Sequence, residues 1–90
     1  MKREEQDPRS AVFVRAADRA RLTGRRREIG RLYFFGKSGK EIRRATKIAD
    51  GTFKRDLAFL HGRLGSSKQA EFVHRIYETG TGRTGPRPVT

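Results

Sequence analysis

The side chains that could do chemistry in this sequence are mostly cations. Twenty-two Lys and Arg stand against ten Asp and Glu in 90 residues, a formal net charge of +12. Thirteen of those cations lie between Arg19 and Arg55, opposed there only by Glu28, Glu41 and Asp50. A merely solvated surface would spread its charge. An excess confined to one segment suits a polyanion, either nucleic acid or an anionic membrane surface. Other chemistries lack their parts. There is no Cys, which excludes disulfides, thiol catalysis, zinc fingers and iron–sulfur clusters. His61 and His74 show no His, Cys or carboxylate partner at ligand spacing, so neither is expected to bind metal or act in acid–base catalysis. Gly51 and Gly80-Thr81-Gly82 do not form a phosphate loop, because no GxxxxGK[ST] is present. No enzyme activity, catalytic residue, metal or cofactor is expected. The longest apolar run, Ala11-Val12-Phe13-Val14, is far too short for a membrane span or a signal-peptide core. The expectation is a soluble cytoplasmic protein with no membrane partner.

Elements must position these cations, and at this length one small domain is the limit. Hydrophobic residues make up 33% and charged residues 36%, so the core must be compact. Residues 1–9 read as a loose arm. Ser10 can cap a helix over 10–21, with Val12, Val14 and Ala17 among its apolar or small positions. Thr23 is a candidate N-cap for a helix ending near Phe35, with Gly36 just beyond it. Ser38-Gly39-Lys40-Glu41 is a capping box opening a helix to about Thr46. Lys47-Ile48-Ala49 makes a short turn into a helix from about Asp50 to Leu64, ended by Gly65. Ser66-Ser67-Lys68-Gln69 resembles another box and opens a helix to about Glu78. Residues 79–90 have the composition of a flexible tail, in which Arg83 and Arg87 could serve as a phosphate or minor-groove arm.

Apolar spacing supports the helices. Phe53, Leu57, Leu60 and Leu64 fall at i, i+4, i+7 and i+11. Ile29, Leu32 and Tyr33 form a stripe on an earlier helix, Ile42 and Ala45 serve the short one, and Phe72, Val73, Ile76 and Tyr77 the last. Phe34, Phe35 and Phe53 sit on or beside these stripes and read as core, not as base-stacking groups. The fold class is all-α, a small four-helix bundle over 22–78 with an extra N-terminal helix.

Two short helices joined by about three residues, the second longer and basic at its start, describe a helix-turn-helix. In such a unit the second helix enters the major groove and the first crosses the backbone. Ser38, Lys40 and Arg43 would then position phosphates, while Thr52, Lys54, Arg55 and Ala58 would read or line the groove.

The residues resemble the LuxR/NarL-type DNA-binding domain at four places: Leu22-Thr23-Gly24-Arg25-Arg26-Arg27-Glu28-Ile29, Gly36 to Ile42, Ile48 to Lys54, and Leu64-Gly65. The resemblance covers about Leu22 to Glu78. It implies a four-helix effector unit, a bacterial or phage-type regulator of transcription bound to double-stranded DNA in the nucleoid, and a last helix that commonly forms a dimer contact. Family members usually carry a receiver or ligand domain as well, for which 90 residues leave no room, so a stand-alone regulator is expected. Phe72, Val73, Ile76 and Tyr77 look like more apolar surface than one edge of the bundle needs, which suggests a homodimer. The rival expectation is that the 10–21 helix covers that face, docked by Val12 and Val14.

The departures from the family pattern carry expectations too. Arg26 replaces a capping Glu, and with Arg27 it puts positive charge at a helix N-terminus, which suggests a nearby phosphate. Gly30 replaces an apolar residue, and Phe34-Phe35 would fill its space. Thr46-Lys47 replaces Leu-Gly in the turn, so a left-handed Lys47 would cost ~1 kcal/mol. Ala49 replaces the usual Ser/Thr cap and leaves Asp50 as the candidate. Asp56 replaces a common His. Two other functions fit the same composition: an adaptor binding RNA polymerase or another regulator, and an RNA-binding module.

Overall fold

The computed structural model describes residues 7–82, and these are helical apart from short turns. The order is α1 (Pro8–Ala20), α2 (Gly24–Phe34), α3 (Gly39–Thr46), α4 (Asp50–Leu64) and α5 (Gln69–Thr81). The all-α expectation therefore holds, with one helix ahead of the other four.

The first helix begins earlier than its sequence suggests. Asp7 is the N-cap, accepting a hydrogen bond from the Arg9 backbone N–H at 2.9 Å. Pro8 follows at the first helical position, where a missing N–H costs nothing. Ser10 thus lies inside the helix, and of the expected 1–9 arm only residues 1–6 fall outside the described residues. Phe13, Ala16, Ala17 and Ala20 are buried at i, i+3, i+4 and i+7. Val12 packs at the edge of this face, whereas Val14 points to solvent.

Of two cap expectations, that for Thr23 holds in position but not in chemistry, and that for Asp50 fails. Thr23 is the N-cap of α2 without a side-chain hydrogen bond, and Ala49 precedes α4 likewise, so Asp50 is the first helical residue and not the cap. The Ser38 box forms in full: Ser38 Oγ accepts from the Glu41 N–H at 3.1 Å, and Glu41 Oε1 accepts from the Ser38 N–H at 2.8 Å. The second expected box does not form. The side chain of Glu71 instead accepts from Ser67, both N–H and hydroxyl, and Lys68 occupies the N-cap of α5. Gln69 turns back to donate to the carbonyls of Tyr33 and Lys37, supplying the donors that the end of α2 lacks. Thr79, Gly80 and Thr81, expected in the tail, extend α5 by nearly a turn, and residues 83–90 lie outside the described residues.

The helices close on a core of Phe13, Leu22, Ile29, Leu60, Phe72 and Ile76, among others. Ala45, expected beside Ile42 in that core, is exposed. Gly30 faces Phe13, Leu22 and Leu60, each 3.6–3.7 Å from where a Cβ would sit. Its space is thus filled by one residue each from α1, the turn after it and α4, and not by Phe34-Phe35. The closest approach in the molecule is between α1 and α5. A Cβ on Gly80 would collide with the Val12 carbonyl and lie 2.7 Å from Val12 Cγ1. Only glycine permits that contact. Two arginines of α1 seal it: Arg15 Nε donates to Gly80 O, and Arg19 Nη1 to Thr79 O, both at 2.9 Å. Cations there also suit the negative end of the α5 dipole.

Candidate nucleic-acid interface

The cations are positioned by α3, α4 and the turn between them. Lys47 ends α3 in the left-handed region (φ 57°, ψ 43°), the backbone expected of a residue standing in a glycine position. Ile48 then turns inward against the core, and this reverses the chain into α4. Phe53 completes the joint, with Arg43 of α3 lying over its ring, Cζ 5.6 Å from the centroid.

Asp50 draws several of the expected site residues together. Its carboxylate pairs with Arg43 Nη1 and Lys54 Nζ, each at 3.2 Å, so one acid ties α3 to α4. Lys54 nevertheless keeps 75% of its side chain exposed. Ser38 Oγ serves the cap as an acceptor and retains its O–H as a donor. Lys40, Arg55 and Ala58 are exposed, and Thr52 is half-buried. The outward line of α4 runs Gly51, Arg55, Ala58 and Gly62, so its surface is low except at Arg55. Lys40, Arg44, Lys47 and Arg55 have no ion-pair partner among the described residues. Arg44 and Lys47 are not among the site residues expected from the sequence, though both belong to its basic segment.

The cations at the start of α2 are arranged differently from expectation. Arg27 is engaged internally, donating to Asp18 at 2.9 Å and to the Leu22 carbonyl. Arg25 and Arg26 reach α4 and bond to Asp56, which is 1% exposed. The hydrogen bond from Arg25, followed by that from Arg26, holds the Asp56 carboxyl below its ordinary pKa against the opposing effect of burial. Asp56 is therefore the anionic centre of a two-arginine cluster. Its only trace in the sequence was an acid at the edge of an apolar stripe.

The histidines take structural positions. Tyr33 Oη lies 3.0 Å from His61 Nε2, and Ser66 Oγ lies 2.7 Å from His61 Nδ1. A neutral ring satisfies both by donating at one nitrogen and accepting at the other. Burial lowers the His61 pKa, which favours that neutral form. His74 does find a carboxylate, Glu78 one turn later at 3.1 Å, contrary to the expectation that it had none. No group of three metal-ligating side chains occurs among the described residues.

The expected dimer face needs correction. Phe72 and Ile76 are fully buried within the chain, Val73 is half-buried, and only Tyr77 is exposed, at 37%. Even Tyr77 leans on Phe34, with ring centroids 5.3 Å apart. The apparent apolar surplus of α5 is absorbed within the chain: Phe72 packs on Tyr33 of α2 and His61 of α4, ring centroids 5.1 and 6.0 Å away, and Val12 of α1 meets Gly80, whereas Val14 stays exposed.

Compared with family models, curated proteins and solved structures, the chain matches none. Among the described residues no helix is long and apolar enough to cross a membrane.

Proposed function

We propose that this protein is a sequence-specific double-stranded-DNA-binding regulator that uses α3 and α4 as a helix-turn-helix, like the LuxR/NarL-type unit its sequence resembles. The observation that carries the reading is the division of charge on this face. Its acids, Glu41 and Asp50, are occupied by the cap and by Arg43 and Lys54. Among the described residues the cations Lys40, Arg44, Lys47 and Arg55 are left without ion-pair partners. In this reading α4 lies in the major groove, Arg55 meets base edges from its outward line, and Lys40 with Ser38 holds phosphates from α3. The low surface at Gly51, Ala58 and Gly62 lets the helix backbone approach the groove floor. One chain then occupies one site, because the large residues of α5 are internal.

The test is a salt series of duplex affinity by fluorescence anisotropy, with random and selected sequences. Contact with ~4–8 phosphates gives a steep log–log fall in affinity with salt. Lys40→Ala weakens all duplexes about equally, whereas Arg55→Ala costs ~1–3 kcal/mol on the selected site and relaxes choice at one or two base pairs. A nearly flat salt dependence would overturn the reading and favour a protein adaptor. Tighter binding to RNA than to duplex DNA would point to an RNA-binding module.

A further inference from the structure

The Arg25–Asp56–Arg26 cluster is built in an unusual way for an internal ion pair. Each arginine spends only its Nε on the carboxylate: Arg25 Nε donates to Oδ2 at 2.6 Å and Arg26 Nε to Oδ1 at 3.2 Å. A guanidinium has five N–H donors, so four on each arginine remain on the η nitrogens. None of those forms a hydrogen bond among the described residues. The carboxylate is 1% exposed, while the arginine side chains are 50% and 42% exposed. The buried acid thus grips both forks from behind and leaves their open ends in water. Arg26 is further fixed by Phe59, whose ring centroid lies 3.9 Å from its Cζ.

Charge shows what the cluster lacks. Two guanidinium groups and one carboxylate sum to +1, and they sit at the first turn of α2, where the helix dipole is already positive. A singly charged anion would balance the site, and a phosphodiester carries one charge. Its oxygens also match the paired donors of a guanidinium.

Position shows which phosphodiester. At ~100° per residue, the outward line of α4 has Asp56 and Phe59 on one flank and Asp50 and Lys54 on the other. Asp50 is where α3 meets α4, so the two arginines stand on the flank away from α3. A helix in the major groove has a phosphate strand on each side. We propose that Arg25 and Arg26, held by their Nε atoms on buried Asp56, form a preset seat for a backbone phosphodiester of duplex DNA on that second flank. The proposal rests on the reading of α4 as the groove helix, and Asp56 acts in it as a positioning residue.

Asp56→Asn separates positioning from simple charge, because the two give opposite signs. The substitution makes the protein more positive by one, so a charge effect alone tightens DNA binding. A lost seat weakens it. We expect about tenfold weaker binding and a salt slope shallower by about one phosphate, with helical circular dichroism retained. The double variant Arg25→Lys, Arg26→Lys keeps both charges and Asp56, and it decides the matter if Asp56→Asn does not fold. A lysine has one ammonium in place of the fork and cannot bond the carboxylate with one nitrogen while presenting another to the phosphate, so the same weakening is expected. If wild-type protein binds duplex and both variants bind as well or better, the seat is wrong and the groove reading stands. If wild-type protein binds no duplex at all, the groove reading falls and the seat with it.

Discussion

The α1–α5 contact and the α3–α4 contact are built on opposite plans. Along α1 the buried side chains are mostly small (Ala16, Ala17 and Ala20), and at Gly80 the backbone of α5 nearly meets that of Val12. The arginines there turn inward to carbonyls, so their charge is spent on the fold. Between α3 and α4 the joint is made by one ring, Phe53, with one acid, Asp50, and the remaining cations face water. The first plan fixes a shape. The second leaves donors available and a non-glycine residue in left-handed backbone at Lys47.

The contrast can be broken most severely at Gly80. Gly80→Ala pushes a methyl group into the Val12 carbonyl and is expected to cost about 3 kcal/mol or more, out of a total stability of order 5–15 kcal/mol. Thermal unfolding measures this directly. At temperatures where the variant is folded, its duplex affinity should equal that of the wild type. A melting temperature within a few degrees of wild type would mean that the helices are not in such close contact.

A smaller effect of opposite sign is expected in the open region. Lys47→Gly relieves a left-handed backbone and should stabilise the fold by up to ~1 kcal/mol. The same change removes an unpaired cation, so duplex affinity should fall as stability rises. If both rise together, Lys47 lies outside the DNA-facing surface and the contrast is weaker than drawn here.

The smallest expected effect is one of pH. The folded state lowers the His61 pKa, so the unfolded chain takes up that proton first as pH falls. Stability is therefore expected to decline as pH drops below about 6.5 and to level, for this group, once the folded value is passed. Glu71 partly opposes the effect by favouring the charged ring. Asp56, Glu41 and Glu71 are held below their ordinary values, so their contributions are lost in a separate and more acid range. Denaturant titrations of His61→Gln should lack the upper decline and keep the acid one. An unchanged upper decline would assign it to another group.

The helices were legible because burial writes a period into the sequence. Phe53, Leu60 and Leu64 marked the inner face of α4, and the Ser38 box marked the start of α3 before any coordinate was known. The left-handed Lys47 was legible for a similar local reason, as a non-glycine residue in a glycine position. What was not legible depends on residues far apart in the chain. Nothing periodic joins Arg25 to Asp56, so the two-arginine cluster left no pattern. Gly80 lay among glycines and threonines that resembled a tail, although it is where two helices touch. The same distance concealed the fate of Phe72: its place in the surplus on α5 was visible, but not the Tyr33 and His61 rings it packs on.

The arginine clasp on α5 also bears on the order in which the chain assembles. Arg15 and Gly80 are 65 residues apart, so their contact encloses nearly all the intervening structure within one long loop. Closing such a loop carries an entropy cost that is repaid only when both ends arrive. On a ribosome α1 emerges first, and the side of it that meets Gly80 stays bare until α5 follows. The contact that most firmly closes the finished molecule is thus among the last that synthesis allows. Until then the side of α1 that carries Val12, Arg15 and Arg19 remains open to chaperones or to another copy of the same face.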